Sequence, residues 1–181
     1  MTFLITGGAK NGKSDFAQEL AVKLAAGDPH YYVATMIPCD EEDHRRIRNH
    51  LKSREGLGFV TIECGRNILS CLNESNKNGT ILLDSTTALL MNELFPDPTD
   101  GKIDTEAALC CADDLADFVR SVRNAVIVSD AIYADAARYD EITDTYRKCL
   151  ARIDRTLAAV CDTVIEVVSG NLIIHKGELI P

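Results

Sequence analysis

No Cys-x-x-Cys pair, no repeat, no low-complexity tract and no apolar run long enough to cross a bilayer occurs in the 181 residues. The seven cysteines (Cys39, Cys64, Cys71, Cys110, Cys111, Cys149 and Cys161) are odd in number and scattered. Neither a disulfide framework nor a zinc site fits that spacing, Cys39 with His44 and adjacent Cys110 and Cys111 included, so most read as small core residues in a reducing compartment. Positive charge is also scarce. Lys and Arg number 19 against 28 Asp and Glu, a net charge of -9, which argues against a surface built to neutralise nucleic-acid phosphates or anionic lipid. A phosphate ligand must therefore be held by a local cluster. Met1-Thr-Phe-Leu-Ile-Thr6 runs directly into glycines without a charged leader or an apolar signal core, so a cytoplasmic protein without a membrane span is expected. The length suits one domain over residues 1–181.

Apolar runs alternate with helical patterns, the signature of a mostly parallel sheet flanked by helices. Strands are expected at Phe3–Thr6, Tyr31–Thr35, Phe59–Ile62, Thr80–Asp84, Ala125–Ser129, Thr163–Ser169 and Leu172–His175, the last two joined at Gly170-Asn171 as a hairpin. Helices are expected from about Lys13 to Gly27, then over Asp40–Arg54, Asn67–Leu72, Thr86–Phe95, Asp104–Arg123 and Asp140–Val160. The segment Pro96–Gly101, with two prolines and a closing glycine, reads as a loop.

Gly7-Gly8-Ala9-Lys10-Asn11-Gly12-Lys13-Ser14 matches G-x-x-x-x-G-K-[ST] between a strand and a helix, the context this phosphate-binding loop requires. Its glycines let successive N–H groups turn inward, and the helix N-terminus adds partial positive charge, so a triphosphate finds an anion cradle. Lys13 would reach the β- and γ-phosphates and Ser14 would offer its hydroxyl to Mg²⁺. Asp84 ends a buried strand at the carboxyl edge of the sheet, where a carboxylate can hold the magnesium shell beside the loop; its other reading is a helix N-cap.

His44 to Arg54 gathers Arg45, Arg46, Arg48, Lys52 and Arg54 together with His44 and His50. In an acidic chain this helix offers guanidinium forks for phosphoryl oxygens and, in His50, an imidazole able to attack a nucleotide α-phosphate. Its other reading is a merely solvated charged face. Tyr133, Tyr139 and Met36 read either as ligand contacts or as packing, and His30 and His175 as exposed and inert.

Thr6-Gly-Gly-Ala-Lys-Asn-Gly-Lys-Ser14, Tyr32-Val-Ala-Thr35, Arg46-Ile-x-x-His50 with Arg54 beyond it, Thr61-Ile-Glu63, Leu82-Leu-Asp84 and Val167-Val-Ser-Gly170 together resemble a family of cobalamin synthesis. It is the bifunctional adenosylcobinamide kinase/adenosylcobinamide-phosphate guanylyltransferase family, and the resemblance runs along essentially the whole chain. It implies phosphorylation of adenosylcobinamide with ATP or GTP, then transfer of GMP from GTP through a guanylylated His50. It further implies that Ala34, Thr35, Met36, Leu51, Lys52, Ser53 and Arg54 line the nucleotide, that Glu63 and Asp84 complete the site, and that subunits assemble as trimers. The sequence departs from the family where Asn-Glu-Val-Gly-x-Gly is replaced by Asp130-Ala-Ile-Tyr-Ala-Asp135, where Arg-x-x-Asn-Gln becomes Arg152-Ile-Asp154-Arg155, and where arginines become Glu141 and Asp144. These departures leave two other readings open: a P-loop kinase for another small alcohol, or a nucleotide-binding paralogue without catalysis. The expected fold is a three-layer P-loop α/β architecture resembling RecA.

Overall fold

Seven strands form one sheet in the computed structural model, which describes residues 1–97, 99, 101–133 and 137–179. Pro98 and Asp100 of the Pro96–Gly101 loop, and Ala134 and Asp135 of the departing segment, lie outside the described residues. The strands are β1 (Thr2–Thr6), β2 (His30–Ala34), β3 (Val60–Glu63), β4 (Thr80–Asp84), β5 (Asn124–Val128), β6 (Thr163–Val168) and β7 (Asn171–Lys176). Their order is β3-β2-β4-β5-β1-β6-β7, parallel throughout except for β7, which runs antiparallel to β6.

The apolar runs are continuous because both sheet faces are covered. Side chains alternate along each strand, so Phe3 and Ile5 of β1 and Leu82 of β4 point to one face, where they pack with Ala17, Leu20 and Ala21 of α1 (Lys13–Ala25). Leu4, Ile81, Leu83 and Ile127 point to the other, onto α3 (Thr86–Leu94), α4 (Thr105–Ser121) and α5 (Glu141–Val160). This is the three-layer arrangement expected. A 3₁₀ helix, Ile68–Asn73, stands where a short helix was predicted. Five of the seven cysteines are buried, and all seven are free thiols.

The charged helix α2 (Glu41–Ser53) has no buried residue. Its ends explain why it forms regardless. Asp40 caps it by accepting from Asp43 N at 2.8 Å, acidic residues fill the first turn and His50 and Lys52 the last, each complementing the helix dipole.

Three local expectations are corrected. Ser85, not Asp84, caps α3, accepting from Ala88 N with its hydroxyl; Asp84 is the last residue of β4. The hairpin turn is centred on Ser169-Gly170, one residue earlier than predicted, with φ of 50° and 77°. A type I′ turn needs positive φ at both central residues, and Asn171 instead starts β7 while its amide donates to Ser169 O at 3.3 Å. His30 is half-buried rather than exposed, with its Nε2 2.8 Å from Leu57 O and its ring edge-on to Phe59.

Asp154 of α5 is buried beneath the end of β5, and Tyr133 donates its hydroxyl to Oδ2 at 2.8 Å. Burial pushes its carboxyl above the ordinary value; the Ser129 and Tyr133 hydroxyls pull it down, and the charge of Asp130 adds to the rise. A raised pKa in the fold means that the protonated form is favoured there. The stabilising contribution is complete below the ordinary carboxyl pKa of about 3.9 and is lost as pH rises through the folded value. Asp154→Asn, which keeps shape without charge, is therefore expected to raise the thermal midpoint at pH 8, the gain shrinking as pH falls toward 4. A gain independent of pH, or a loss at pH 8, would contradict this account.

Candidate functional site

The glycine loop leaves β1 at Thr6 and enters α1 at Lys13. Gly12, in the left-handed region at φ 85°, is the N-cap, and no side chain caps the first turn. Its donors are thus available to an anion. Gly7 has φ 141°, and a Cβ there would collide with the Val167 carbonyl of β6. Both conformation and close approach demand glycine.

Gly7→Ala is expected to cost on the order of 3 kcal/mol, from strain plus collision, and to lower the melting midpoint by about 6–12 °C. Gly27→Ala, at φ 95° with nothing near its Cβ position, should cost only about 1 kcal/mol. Equal midpoints for the two variants, read by circular dichroism, would refute the assignment of the collision.

Ala9 to Ser14 line a cleft of about 900 Å³ at the carboxyl edge of the sheet. Lys13 is buried. Its Nζ donates to Gly8 O at 2.6 Å and pairs with Asp130 Oδ1 at 2.7 Å. Asp130 comes so close because β5 is the strand next to β1: Ser129 N donates to Ile5 O at 2.9 Å and Ala131 N to Gly7 O at 3.0 Å. Asp84, at the end of β4 one strand further out, lines the same cleft as the loop. Thr87 holds Asp130 from the other side, its hydroxyl donating to Oδ2 at 3.2 Å.

Across the cleft, α2 presents His44, Ile47, His50 and Leu51 at three- and four-residue spacing, flanked by Arg46, Asn49 and Ser53, and Arg54 continues the lining just past its end. His50 Nδ1 lies 3.7 Å from Asp84 Oδ2, and Tyr32 donates its hydroxyl to the same oxygen at 3.0 Å. Burial, with the Asp84 charge second, pushes the Tyr32 phenol far above its ordinary pKa, so it stays a donor. Arg54 is buried, its guanidinium 4.0 Å above the Tyr32 ring and its Nη2 3.2 Å from Thr61 Oγ1. Arg46 pairs with Glu42 at 3.0 Å on the helix surface.

Of the sequence-predicted residues, Ala9 to Ser14, Ala34, Met36, His50, Leu51, Ser53, Arg54, Glu63 and Asp84 line this cleft. Gly7, Gly8, Thr35 and Lys52 do not. Gly7 and Gly8 shape the base of the loop, and Lys52 is exposed. Thr35 is fully buried and ties β2 to the start of α3, its Oγ1 donating to Ser85 O and accepting from Ser85 N, both at 2.8 Å. Asp130, Tyr32 and His44 are cleft residues to which sequence reasoning gave no role there. The alternation of buried strands could have pointed to Asp130, which follows β5 as Asp84 ends β4.

The fold and the site define a P-loop nucleotide-binding protein. A solved ATPase domain matches with a TM-score of 0.54 at 11% identity, covering 97% of this chain and 76% of that one. Flagellar accessory protein FlaH from Methanocaldococcus jannaschii matches at 0.50 and 14% identity, covering 97% and 78%. The chain belongs to the cobinamide kinase / cobinamide phosphate guanyltransferase family, whose model matches residues 3–174. It is 29% identical to the bifunctional adenosylcobalamin biosynthesis protein CobU of Salmonella typhimurium, over 94% of this chain and 97% of that protein. It is also 29% identical to the bifunctional adenosylcobalamin biosynthesis protein CobP of Pseudomonas aeruginosa, over 98% and 99%. Among the described residues no helix is long and apolar enough to cross a membrane.

Proposed function

We propose that this protein phosphorylates adenosylcobinamide with ATP or GTP and then transfers GMP from GTP to the resulting phosphate through His50. The observation that carries the proposal is the sharing of one cleft by Lys13, Ser14 and His50, with His50 Nδ1 3.7 Å from the Asp84 carboxylate. A proton on Nδ1 facing Asp84 leaves the Nε2 lone pair free to attack. Nε2 forms a bond to the α-phosphorus, the bond from that phosphorus to the bridging oxygen breaks, and pyrophosphate leaves with the electron pair. The acceptor phosphate then attacks the phosphoramidate, giving the GDP-linked product and restoring the imidazole. In the kinase step the acceptor oxygen bonds to the γ-phosphorus as the bond from that phosphorus to the β,γ-bridging oxygen breaks; the nucleoside diphosphate leaves with that electron pair and the hydroxyl proton passes to solvent.

The uncapped first turn of α1 and the Lys13 ammonium supply donors for phosphoryl oxygens. Lys13 must exchange Asp130 for phosphate to do so. Ser14 and Asp84 are the oxygen ligands that would hold Mg²⁺, which takes few protein oxygens and completes its shell with phosphate and water. Bound there, it would neutralise charge on the phosphates. Since α2 buries none of its own side chains, it can adjust its distance to the nucleotide without dismantling the core.

GTP labelled at the α-phosphorus tests the reading. An acid-labile, alkali-stable protein adduct that transfers its label to adenosylcobinamide phosphate supports it, and the lack of any adduct overturns it. A kinase for another alcohol is the second reading, favoured by Asp130-Ala-Ile-Tyr replacing the family's Asn-Glu-Val-Gly; it predicts γ-phosphate transfer without an adduct.

A further inference from the structure

A second concavity, of about 600 Å³, opens beside the segment that leaves the carboxyl end of β5 and shares no lining residue with the nucleotide cleft. Its walls come from α3 (Met91), the segment after β5 (Ala131, Ile132) and the first turns of α5 (Ile142, Tyr146) with Tyr139 just before them. That volume falls within the range of small-molecule sites, about 300–1,000 Å³. The lining is mostly apolar, with Thr143 and Arg147 as its polar members, and Met91, Ile132, Tyr139 and Ile142 are 41–44% exposed, so these large side chains have not been absorbed by the core. Apolar surface gathered in one concavity marks a binding site rather than scattered surface residues.

The pocket has a firm frame. Tyr146 donates its hydroxyl to Thr87 O at 3.0 Å, and the Arg147 guanidinium lies 4.5 Å from the Tyr139 ring centre while donating to Tyr133 O at 3.1 Å. Its position relative to the nucleotide cleft is the informative point. Asp130 lines the cleft and the next residue, Ala131, lines the pocket; on α3, Ala88 lines the cleft and Met91, one turn later, the pocket. The two spaces therefore meet at one peptide, on the side of the cleft where Asp130 pairs with Lys13. Consecutive Cα atoms are only about 3.8 Å apart, so the pocket lies directly behind the wall of the cleft that carries Asp130.

We infer that this pocket holds the apolar part of the alcohol acceptor and delivers its hydroxyl past Asp130 to the γ-phosphate. The inference rests on the phosphoryl-transfer reading above. It commits the pocket to a small molecule because the surface is concave and adjoins Asp130, the partner of Lys13, whereas a second copy of the chain would cover the patch without any such link to the phosphate site.

Ile142→Asp tests it, because Ile142 is 42% exposed and the change places a charge in the pocket without opening the core. The KM for adenosylcobinamide in the kinase reaction is expected to rise about 10-fold or more, with the Kd for magnesium–GTP and the yield of labelled His50 unchanged. Ile173→Asp, an exposed apolar position on β7, should alter none of these. An unchanged KM, or a parallel loss of GTP binding, would overturn the inference. So would sedimentation showing that Ile142→Asp dissociates an assembly, with the KM following the assembly state. If the unmutated protein phosphorylates no adenosylcobinamide, the proposed function fails, and anilinonaphthalene sulfonate then reads the pocket separately. Dye fluorescence enhanced by the unmutated protein and lost in Ile142→Asp keeps the apolar ligand site, while equal fluorescence removes it.

Discussion

His50→Ala is expected to abolish the labelled adduct and to lower guanylyl transfer by about a thousandfold or more, leaving phosphorylation of adenosylcobinamide within a few fold of its original rate. The split follows from where the imidazole sits. His50 belongs to α2, which contributes no buried residue, so its loss leaves the core intact. The phosphate loop belongs to the β1–α1 connection, and among the described residues its hydrogen bonds run within the loop and α1 and to the segment after β5. Only the covalent step requires a nitrogen lone pair. Asp84→Asn should lower both activities, since an amide in place of the carboxylate weakens the preference for a proton on Nδ1 and is a poorer ligand for Mg²⁺, while the Tyr32 hydroxyl keeps the side chain in place. Two measurements decide the matter, label retained on the protein after alkali and the rate of phosphate transfer from γ-labelled ATP. Equal loss of both activities would show that His50 merely supports the site, and full guanylyl transfer in His50→Ala would move the nucleophile elsewhere.

Lys13→Ala is expected to lower both activities by about a hundredfold to a thousandfold, because one cation serves the phosphates in either reaction. Here the structure adds something the motif does not contain. Lys13 is buried and its ammonium is shared between Gly8 O and the Asp130 carboxylate. Removing Lys13 thus also leaves Asp130 facing the triphosphate without its counter-ion, which deepens the loss through like-charge repulsion. The reverse substitution separates the two effects. Asp130→Asn frees Lys13 from its ion pair and removes a negative charge from the cleft, so magnesium–nucleotide binding should tighten several-fold in calorimetry. Weaker binding in Asp130→Asn would mean that the carboxylate serves the nucleotide directly. Unimpaired binding and turnover in Lys13→Ala would remove the phosphate loop from the mechanism.

The parts of this site that could be read along the chain are those made from contiguous residues. The loop from Gly7 to Ser14 is one example, because its spacing, the strand before it and the helix after it all lie within a short segment. The charged helix from Glu41 to Ser53 is another, since its cap, its acidic first turn and its scarcity of apolar residues are local properties. The sequence also carried the three-layer architecture, through strands buried on both faces alternating with amphipathic helices.

What depends on strand order was not legible. Asp84 and Asp130 each stand at the end of a buried strand, and nothing along the chain says which of them adjoins the phosphate loop. The insertion of β5 between β1 and β4 brings Asp130 to Lys13 and leaves Asp84 to Tyr32 and His50. Arg54 appears in the sequence as one more cation for phosphate; the fold sets it in the cleft wall with its guanidinium over the Tyr32 ring and hydrogen-bonded to Thr61. Thr35 appears as a nucleotide contact, yet its hydroxyl closes a backbone gap at Ser85. Local pattern determined which segments become strand, helix and anion loop, because propensity, capping and glycine conformation act over a few neighbouring residues. Which charges meet was decided only when the sheet assembled, since a pairing such as Lys13 with Asp130 arises from long-range strand packing that no short segment encodes.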